Sequence, residues 1–171
     1  SINKDKKHII LNPKKILNNK QLENFKSLIE RRKKGEPVAY LIKKKEFWSK
    51  IFFVSSDTLI PRPETELIVE KLTNIFEEKK ISILDIGTGT GCILISLLSE
   101  LKNSKGIGID ISKKALRIAE KNSEHHGMKN KIKFFHKSLD SKFYQKFDLI
   151  VSNPPYIKKC EIKNLKEDVR K

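Results

Sequence analysis

The sequence predicts a parallel, doubly wound α/β sheet preceded by the end of a helical segment and a short β-hairpin. Three observations carry that expectation. From residue 81 onward, short apolar runs alternate with helical stretches, the pattern of β-α-β units. One strand-to-helix join is the glycine-rich turn Asp85-Ile86-Gly87-Thr88-Gly89-Thr90-Gly91. A later strand pattern ends in Asn153-Pro154-Pro155-Tyr156. Right-handed crossovers would gather residues 87–91, Asp110, the 137–140 loop and Asn153 at the carboxyl edge of one sheet.

The elements follow in order. Leu22, Phe25, Leu28 and Ile29 fall at helical spacing, and Arg31-Arg32-Lys33-Lys34 then Gly35 form a stop signal, so residues 19–34 read as a helix. Gly35-Glu36-Pro37 is a turn. Residues 38–42 and 46–54 are rich in β-branched and aromatic side chains and read as the two arms of a hairpin. The single tryptophan, Trp48, lies there and reads as a core residue. Residues 57–63 hold two prolines and read as irregular, and residues 64–78 as a helix. Strand 81–86 leads to helix 91–101, strand 105–110 to helix 112–126, and strand 131–136 through a loop to strand 146–152. No internal repeat is visible.

Composition narrows the class. At 171 residues with 37% hydrophobic content the chain can bury a core, and it has room for one domain plus an appendage. No apolar run approaches the ~20 residues that span a bilayer, and no signal peptide is visible, so a cytoplasmic protein without membrane contact is expected. Cys92 and Cys160 have no CxxC partners, which argues against zinc and against a disulfide framework. The net charge of +16, mostly lysine, fits either contact with nucleic acid or a Lys-, Ile- and Asn-rich composition bias.

The glycine turn suits a nucleoside cofactor. Its glycines allow a tight turn and close backbone approach, and the helix that follows offers free N–H groups. It lacks the Lys-Ser/Thr pair of a phosphate-binding loop, since Cys92-Ile93 follow Gly91. Asp110 ends the next strand, 25 residues after Asp85. An acid there accepts hydrogen bonds from ribose hydroxyls. The alternative is a helix cap by Asp110 or Ser112. Asn153 and the two prolines present acceptors at a rigid strand tip, which suits a planar NH2 group on an amide or a nucleobase. The simpler alternative is a strand-ending turn.

Together the Asp85–Gly91 turn, Asp110 and Asn153–Tyr156 resemble the S-adenosylmethionine-dependent methyltransferases of the Rossmann-like class I type. Leu59-Ile60-Pro61-Arg62-Pro63-Glu64-Thr65-Glu66 narrows the resemblance to the protein-(glutamine-N5) methyltransferases of peptide chain release factors, the PrmC/HemK family. Arg31-Arg32 with Gly35–Leu41, Glu46-Phe47-Trp48 and Asp168-Val169-Arg170 also resemble elements of that family.

The resemblance implies methyl transfer from S-adenosylmethionine to the glutamine amide nitrogen of a release factor's GGQ motif, with S-adenosylhomocysteine as product and no metal. It implies that the Asn153 side-chain carbonyl and the Pro154 backbone carbonyl accept hydrogen bonds from the glutamine NH2, while Pro155 and Tyr156 pack on the amide. Asp85, Gly87, Thr88, Gly89, Thr90, Gly91, Asp110, Leu139 and Asn153 are the implied cofactor residues. Arg62 and Glu64 cover the cofactor's methionine end or fasten the linker. His125 and His126 read as solvated residues near a helix end.

One position departs from the family. Ser138 stands where an acid is usual, Asp140 comes two residues late, and Leu139 is the expected adenine contact. The family begins with a helical domain and has a seven-stranded sheet, of which four parallel strands are visible here. The expected layout is therefore a remnant of the helical N-terminal substrate-binding domain over 1–37, a hairpin and linker over 38–63, and a C-terminally incomplete methyltransferase domain over 64–171, all within a longer protein. A nucleic-acid base methyltransferase is the alternative, and a non-catalytic cofactor-binding module the third reading.

Overall fold

A computed structural model describes residues 6–141 and 145–154. The chain opens with two helices, α1 (Lys6–Leu11) and α2 (Asn19–Lys33), and a short third, α3 (Val38–Ile42). α2 starts in a capping box: Asn18 Oδ1 accepts from Gln21 N at 2.9 Å, and Asn18 N donates to Gln21 Oε1 at 3.1 Å. Past its end, the Arg31 guanidinium grips the Glu36 carboxylate through Nε at 2.7 Å and Nη2 at 2.5 Å, which draws the turn back against the helix.

Residues 38–42 are helical and not a hairpin arm. Tertiary contact overrides their β-favouring composition: Tyr40 is buried against Val54 and Ile60, and its hydroxyl donates to Thr58 O at 2.7 Å. The hairpin lies wholly beyond them, as β1 (Lys44–Phe47) and β2 (Lys50–Phe53), paired antiparallel from Lys44↔Phe53 to Phe47↔Lys50. Trp48 and Ser49 form its two-residue turn with φ of +50° and +52°. Trp48 is half-buried and packs against the core, while its Nε1 donates to Glu100 Oε1 at 2.9 Å. The core role expected of it therefore holds in part.

A 3-10 turn, Pro63–Thr65, runs into α4 (Glu66–Ile75). Then come β3 (Ser82–Ile86), α5 (Cys92–Glu100), β4 (Lys105–Asp110), α6 (Lys113–His125), β5 (Ile132–His136) and β6 (Leu149–Ser152). All four strands expected from the sequence are present, parallel, in the order β5-β4-β3-β6. β3 leads to β4 and β5 on one side and pairs with β6 on the other, so the chain reverses direction across the sheet beside β3. Such a reversal opens a crevice at the strand carboxyl ends, the usual ligand site of this architecture.

The core lies between the sheet and α5. Every residue from Cys92 to Leu98 is buried, the sign of a helix covered on all sides. Each fully buried Leu or Ile contributes about 2 kcal/mol of transfer free energy. Two glycines in β4 make the close packing possible. A Cβ on Gly106 would lie 2.5 Å from Leu94 Cδ1, and one on Gly108 would lie 2.7 Å from the Phe134 ring. At the other end of β3, Asp148 Oδ2 accepts from both the backbone N and the hydroxyl of Ser82 at 2.7 Å, which fixes the β6 register.

Candidate active site

The glycine turn is built onto the end of β4. Gly87 N and Thr88 N both donate to Ile109 O at 2.9 Å, and Gly91 N closes the turn on Thr88 O at 2.8 Å. Gly87, Gly89 and Gly91 have φ of +71°, +55° and +77°, which glycine adopts without penalty. A Cβ on Gly87 would meet nothing within 4 Å, and one on Gly89 only Gly87 O at 3.9 Å. The space over these two residues is open, and only glycine leaves it so.

Asp85 lies beneath the turn, fully buried. Its Oδ2 accepts the Thr88 hydroxyl at 2.6 Å. Its Oδ1 has no hydrogen-bond partner, an acceptor without a donor in a dry place. Burial pushes the Asp85 carboxyl up to about 7; the Thr88 hydroxyl pulls it down and the charge of Asp110 pushes it up.

Asp110 is half-buried and uses both oxygens. Oδ2 accepts from Gly89 N and Oδ1 from Ser112 N, both at 2.9 Å. Of the two cap alternatives, Ser112 is the one that caps α6, accepting from Ala115 N at 3.2 Å. Asp110 instead joins the glycine turn to the start of α6. The loop after β5 is drawn to the same edge, since Lys137 N donates to Asp110 O at 3.2 Å. Leu139 there is 69% exposed, flanked by exposed Ser138 and Asp140.

β6 brings the NPPY segment beside β3. Ser152 pairs with Ile86, and its hydroxyl donates to Ile86 O at 2.9 Å. The next residue, Asn153, is half-buried and donates from Nδ2 to Thr65 Oγ1 at 3.0 Å. Pro154 is exposed. Pro155, Tyr156, Cys160 and the 168–170 element lie outside the described residues. Arg62 and Glu64 are exposed, and the positive charge of Arg62 acts on the Tyr40 phenol, which burial raises above its ordinary value.

Among the described residues the arrangement offers acceptors and an open cradle, with no activated nucleophile beside them. Cys92, which follows the turn, is buried, and burial pushes its thiol up to about 12. Among the described residues, no group of three His, Cys, Asp or Glu side chains could hold a metal ion. The open space over Gly87 and Gly89, the donor-seeking Asp85 Oδ1 and the Asp110 carboxylate at the strand end fit a nucleoside cofactor that carries hydroxyls and an ammonium group. A surface depression of about 450 Å3 lined by Arg117, Lys121 and Phe134 includes none of these residues.

Two site-supporting residues were not singled out from sequence: Thr65 and Asn122. Asn122 is wholly buried and donates from Nδ2 to Thr90 O at 2.9 Å and to Phe53 O at 3.0 Å. Its signal was its place on the buried stripe of α6 with Ala115 and Ala119. One of the two histidines departs from the expected solvated position. His126 Nε2 lies 3.0 Å from Ile51 O and its ring packs on Phe52, while His125 packs on Phe53. His126 is half-buried and fastens the hairpin to α6 instead of standing in solvent, because the helix end lies against β2, whereas His125 is exposed as expected.

Comparison with known proteins agrees with this geometry. Residues 62–168 match the methyltransferase small domain, and residues 1–42 match the PrmC N-terminal domain. The release factor glutamine methyltransferase of Buchnera aphidicola subsp. Schizaphis graminum is 45% identical over 161 residues, 94% of this chain and 58% of the relative. That of Aliivibrio fischeri is 40% identical over 91% of this chain and 55% of the relative. A bifunctional methyltransferase of Rickettsia typhi is 39% identical over 93% of this chain and 35% of the relative. The chain thus spans a little over half the length of the first two relatives and about a third of the last.

Among solved structures, the ribosomal protein L11 methylase of Lactobacillus delbrueckii subsp. bulgaricus is similar with a TM-score of 0.51 and 24% identity, over 59% of this chain and 51% of that one. The hMettl16 catalytic domain gives 0.53 and 21%, over 66% and 41%. These two show the fold alone. With the methyltransferase small domain model covering residues 62–168 and the PrmC N-terminal domain model matching residues 1–42 ahead of it, the chain belongs to the methyltransferase small domain family.

Proposed function

We propose that this chain carries the cofactor and acceptor sites of an S-adenosylmethionine-dependent methyltransferase acting on the GGQ glutamine of a peptide chain release factor. The observation that carries this reading is the pairing of Ile86 with Ser152. It sets the acceptor-bearing strand tip beside the glycine turn, in a chain whose relatives are named for that reaction. Residues up to about 37 belong to the substrate-binding part, residues 38–63 to the hairpin and linker, and the rest to the methyl-transferring part. A protein with this substrate works in the cytoplasm. Among the described residues no helix is long and apolar enough to cross a membrane.

Bound S-adenosylmethionine supplies an electrophilic methyl group. Asp110 takes the ribose hydroxyls on lone pairs left beside its two backbone bonds, and Asp85 Oδ1 takes the amino end. The glycines give the cofactor room, and Leu139 offers an apolar face to its adenine. An amide nitrogen is a poor nucleophile because its lone pair is delocalised. Asn153 Oδ1 and the Pro154 carbonyl accept the two N–H bonds of the glutamine, raise electron density on its nitrogen and fix its direction. Pro155 and Tyr156 pack on the amide plane. The nitrogen would gain the methyl carbon as that carbon leaves the cofactor sulfur, releasing S-adenosylhomocysteine, and would give one proton to solvent, with no covalent enzyme intermediate.

The test uses methyl-labelled S-adenosylmethionine with release factor and bulk tRNA offered in parallel, and peptide mass spectrometry to locate the label. Label on the GGQ glutamine is the expected result. Label on RNA alone would mean that the strand tip reads a base and would overturn this reading. The charge of +16 then belongs to docking on an acidic partner or on RNA near the release factor, a secondary contact.

A further inference from the structure

The linker turn before α4 holds a threonine in an unusual situation. Thr65 is at the N-cap of α4, where threonine ordinarily accepts from the helix backbone. Here it makes no side-chain cap bond. Its φ of −71° and ψ of −19° are helical, because the Pro63–Thr65 turn runs straight into the helix, so the hydroxyl cannot reach back as a cap. It is instead turned inward. Thr65 is 6% exposed between exposed Glu64 and half-buried Glu66, and its Oγ1 receives Nδ2 of Asn153 at 3.0 Å from 88 residues away.

The support behind that hydroxyl is stiff. Pro61 is buried, Pro63 fixes its own φ, and Thr65 N donates to Arg62 O at 3.0 Å. On the next residue, the Glu66 carboxylate accepts from Trp48 N at 2.9 Å, and Val69 one turn on is wholly buried. The terminal torsion of an asparagine is broad and two-fold. A contact from a stiff turn narrows that torsion for a half-buried amide at a strand tip.

We propose that Thr65 is a positioning residue for methyl transfer. By receiving the Nδ2 of Asn153 it restrains the rotation of that amide and so favours one orientation toward an incoming NH2. The inference rests on the function proposed above and adds to it a residue that touches neither substrate nor cofactor.

The experiment compares Thr65→Val and Thr65→Ser with wild type in the protein as encoded by its natural reading frame, on a GGQ-containing release factor. Valine keeps the volume and removes the hydroxyl; serine restores it. The expected result for Thr65→Val is a roughly tenfold lower rate in a single turnover, from lost orientation. Affinity for S-adenosylmethionine should stay unchanged, any fall in melting temperature should be small beside the loss of rate, and Thr65→Ser should recover most of the rate. The side-chain 15NH2 signal of Asn153 should shift in the valine variant and return in the serine variant. Wild-type turnover in Thr65→Val overturns the proposal. So does a serine variant as slow as valine, or cofactor affinity falling in step with rate. If wild type leaves the GGQ glutamine unlabelled, the functional reading fails and this role fails with it. The Asn153 signal then decides separately whether the contact exists.

Discussion

Asn122 holds both backbone groups of Phe53: its Oδ1 accepts from Phe53 N at 2.7 Å and its Nδ2 donates to Phe53 O at 3.0 Å. A side-chain amide thus stands in for a third strand along the edge of β2. The same Nδ2 reaches Thr90 O at 2.9 Å, so one buried residue in α6 ties the hairpin to the glycine turn. Replacing it with alanine would strand three backbone groups. We expect Asn122→Ala to lose about 3 kcal/mol in urea unfolding, since each unmet buried group costs ~1–3 kcal/mol. A loss under about 0.5 kcal/mol would mean that water takes over the amide's place.

Asn153→Ala separates binding from chemistry. Methyl transfer should fall by about 10²-fold or more if two acceptors hold the amide. Affinity for S-adenosylmethionine, measured by calorimetry, should change little. Equal loss in both would make Asn153 chiefly a cofactor residue.

Gly89 and Gly91 differ in what surrounds them. A Cβ on Gly91 would lie 3.1 Å from Ile95 Cδ1 and 3.4 Å from Ala119 Cβ, whereas one on Gly89 has only Gly87 O at 3.9 Å. Both hold positive φ, which costs an alanine roughly 1–2 kcal/mol. Gly91→Ala adds crowding on α5 and α6 and should be the less stable by thermal melting. Gly89→Ala should stay folded and still lose cofactor binding, because its methyl enters the cradle. Undiminished affinity in Gly89→Ala would move the cofactor off this turn.

Asp85 gives stability a slope with pH. Its folded carboxyl is pushed up to about 7 from an ordinary 3.8. Between those values the native state holds a proton that the unfolded chain releases, so stability falls as pH rises from about 4 to about 7. The interval is worth on the order of 4 kcal/mol at most. Asp85→Asn removes this term. Its stability relative to wild type should therefore increase from pH 5 to pH 8 in paired urea titrations. A difference that is flat with pH would show that Asp85 is ionised throughout.

Much of this was legible in the sequence because period and punctuation agreed. Alternating apolar runs, a glycine-rich turn between strand and helix and an acid at the next strand end all specify one sheet edge. The misreadings share a cause. Residues 38–42 look like a strand until Tyr40 finds the Thr58 carbonyl across the linker, and His126 looks solvated until β2 lies against it. Each depends on a partner 18 to 75 residues away, which local pattern does not encode. Thr65 was hidden differently: a threonine before a helix reads as a cap, and only the helical backbone at that residue frees its hydroxyl for Asn153.

Cys92 gives the fold a chemical clock. With its thiol pushed up to about 12, the thiolate at neutral pH is roughly one part in 10⁵, and the sulfur is sealed inside the first turn of α5. A thiol reagent can reach it only when that helix leaves the sheet. The alkylation rate of this one sulfur, read by peptide mapping, therefore reports how often the floor of the cofactor cradle opens. A ligand that settles on the glycine turn should slow the clock without touching the sulfur.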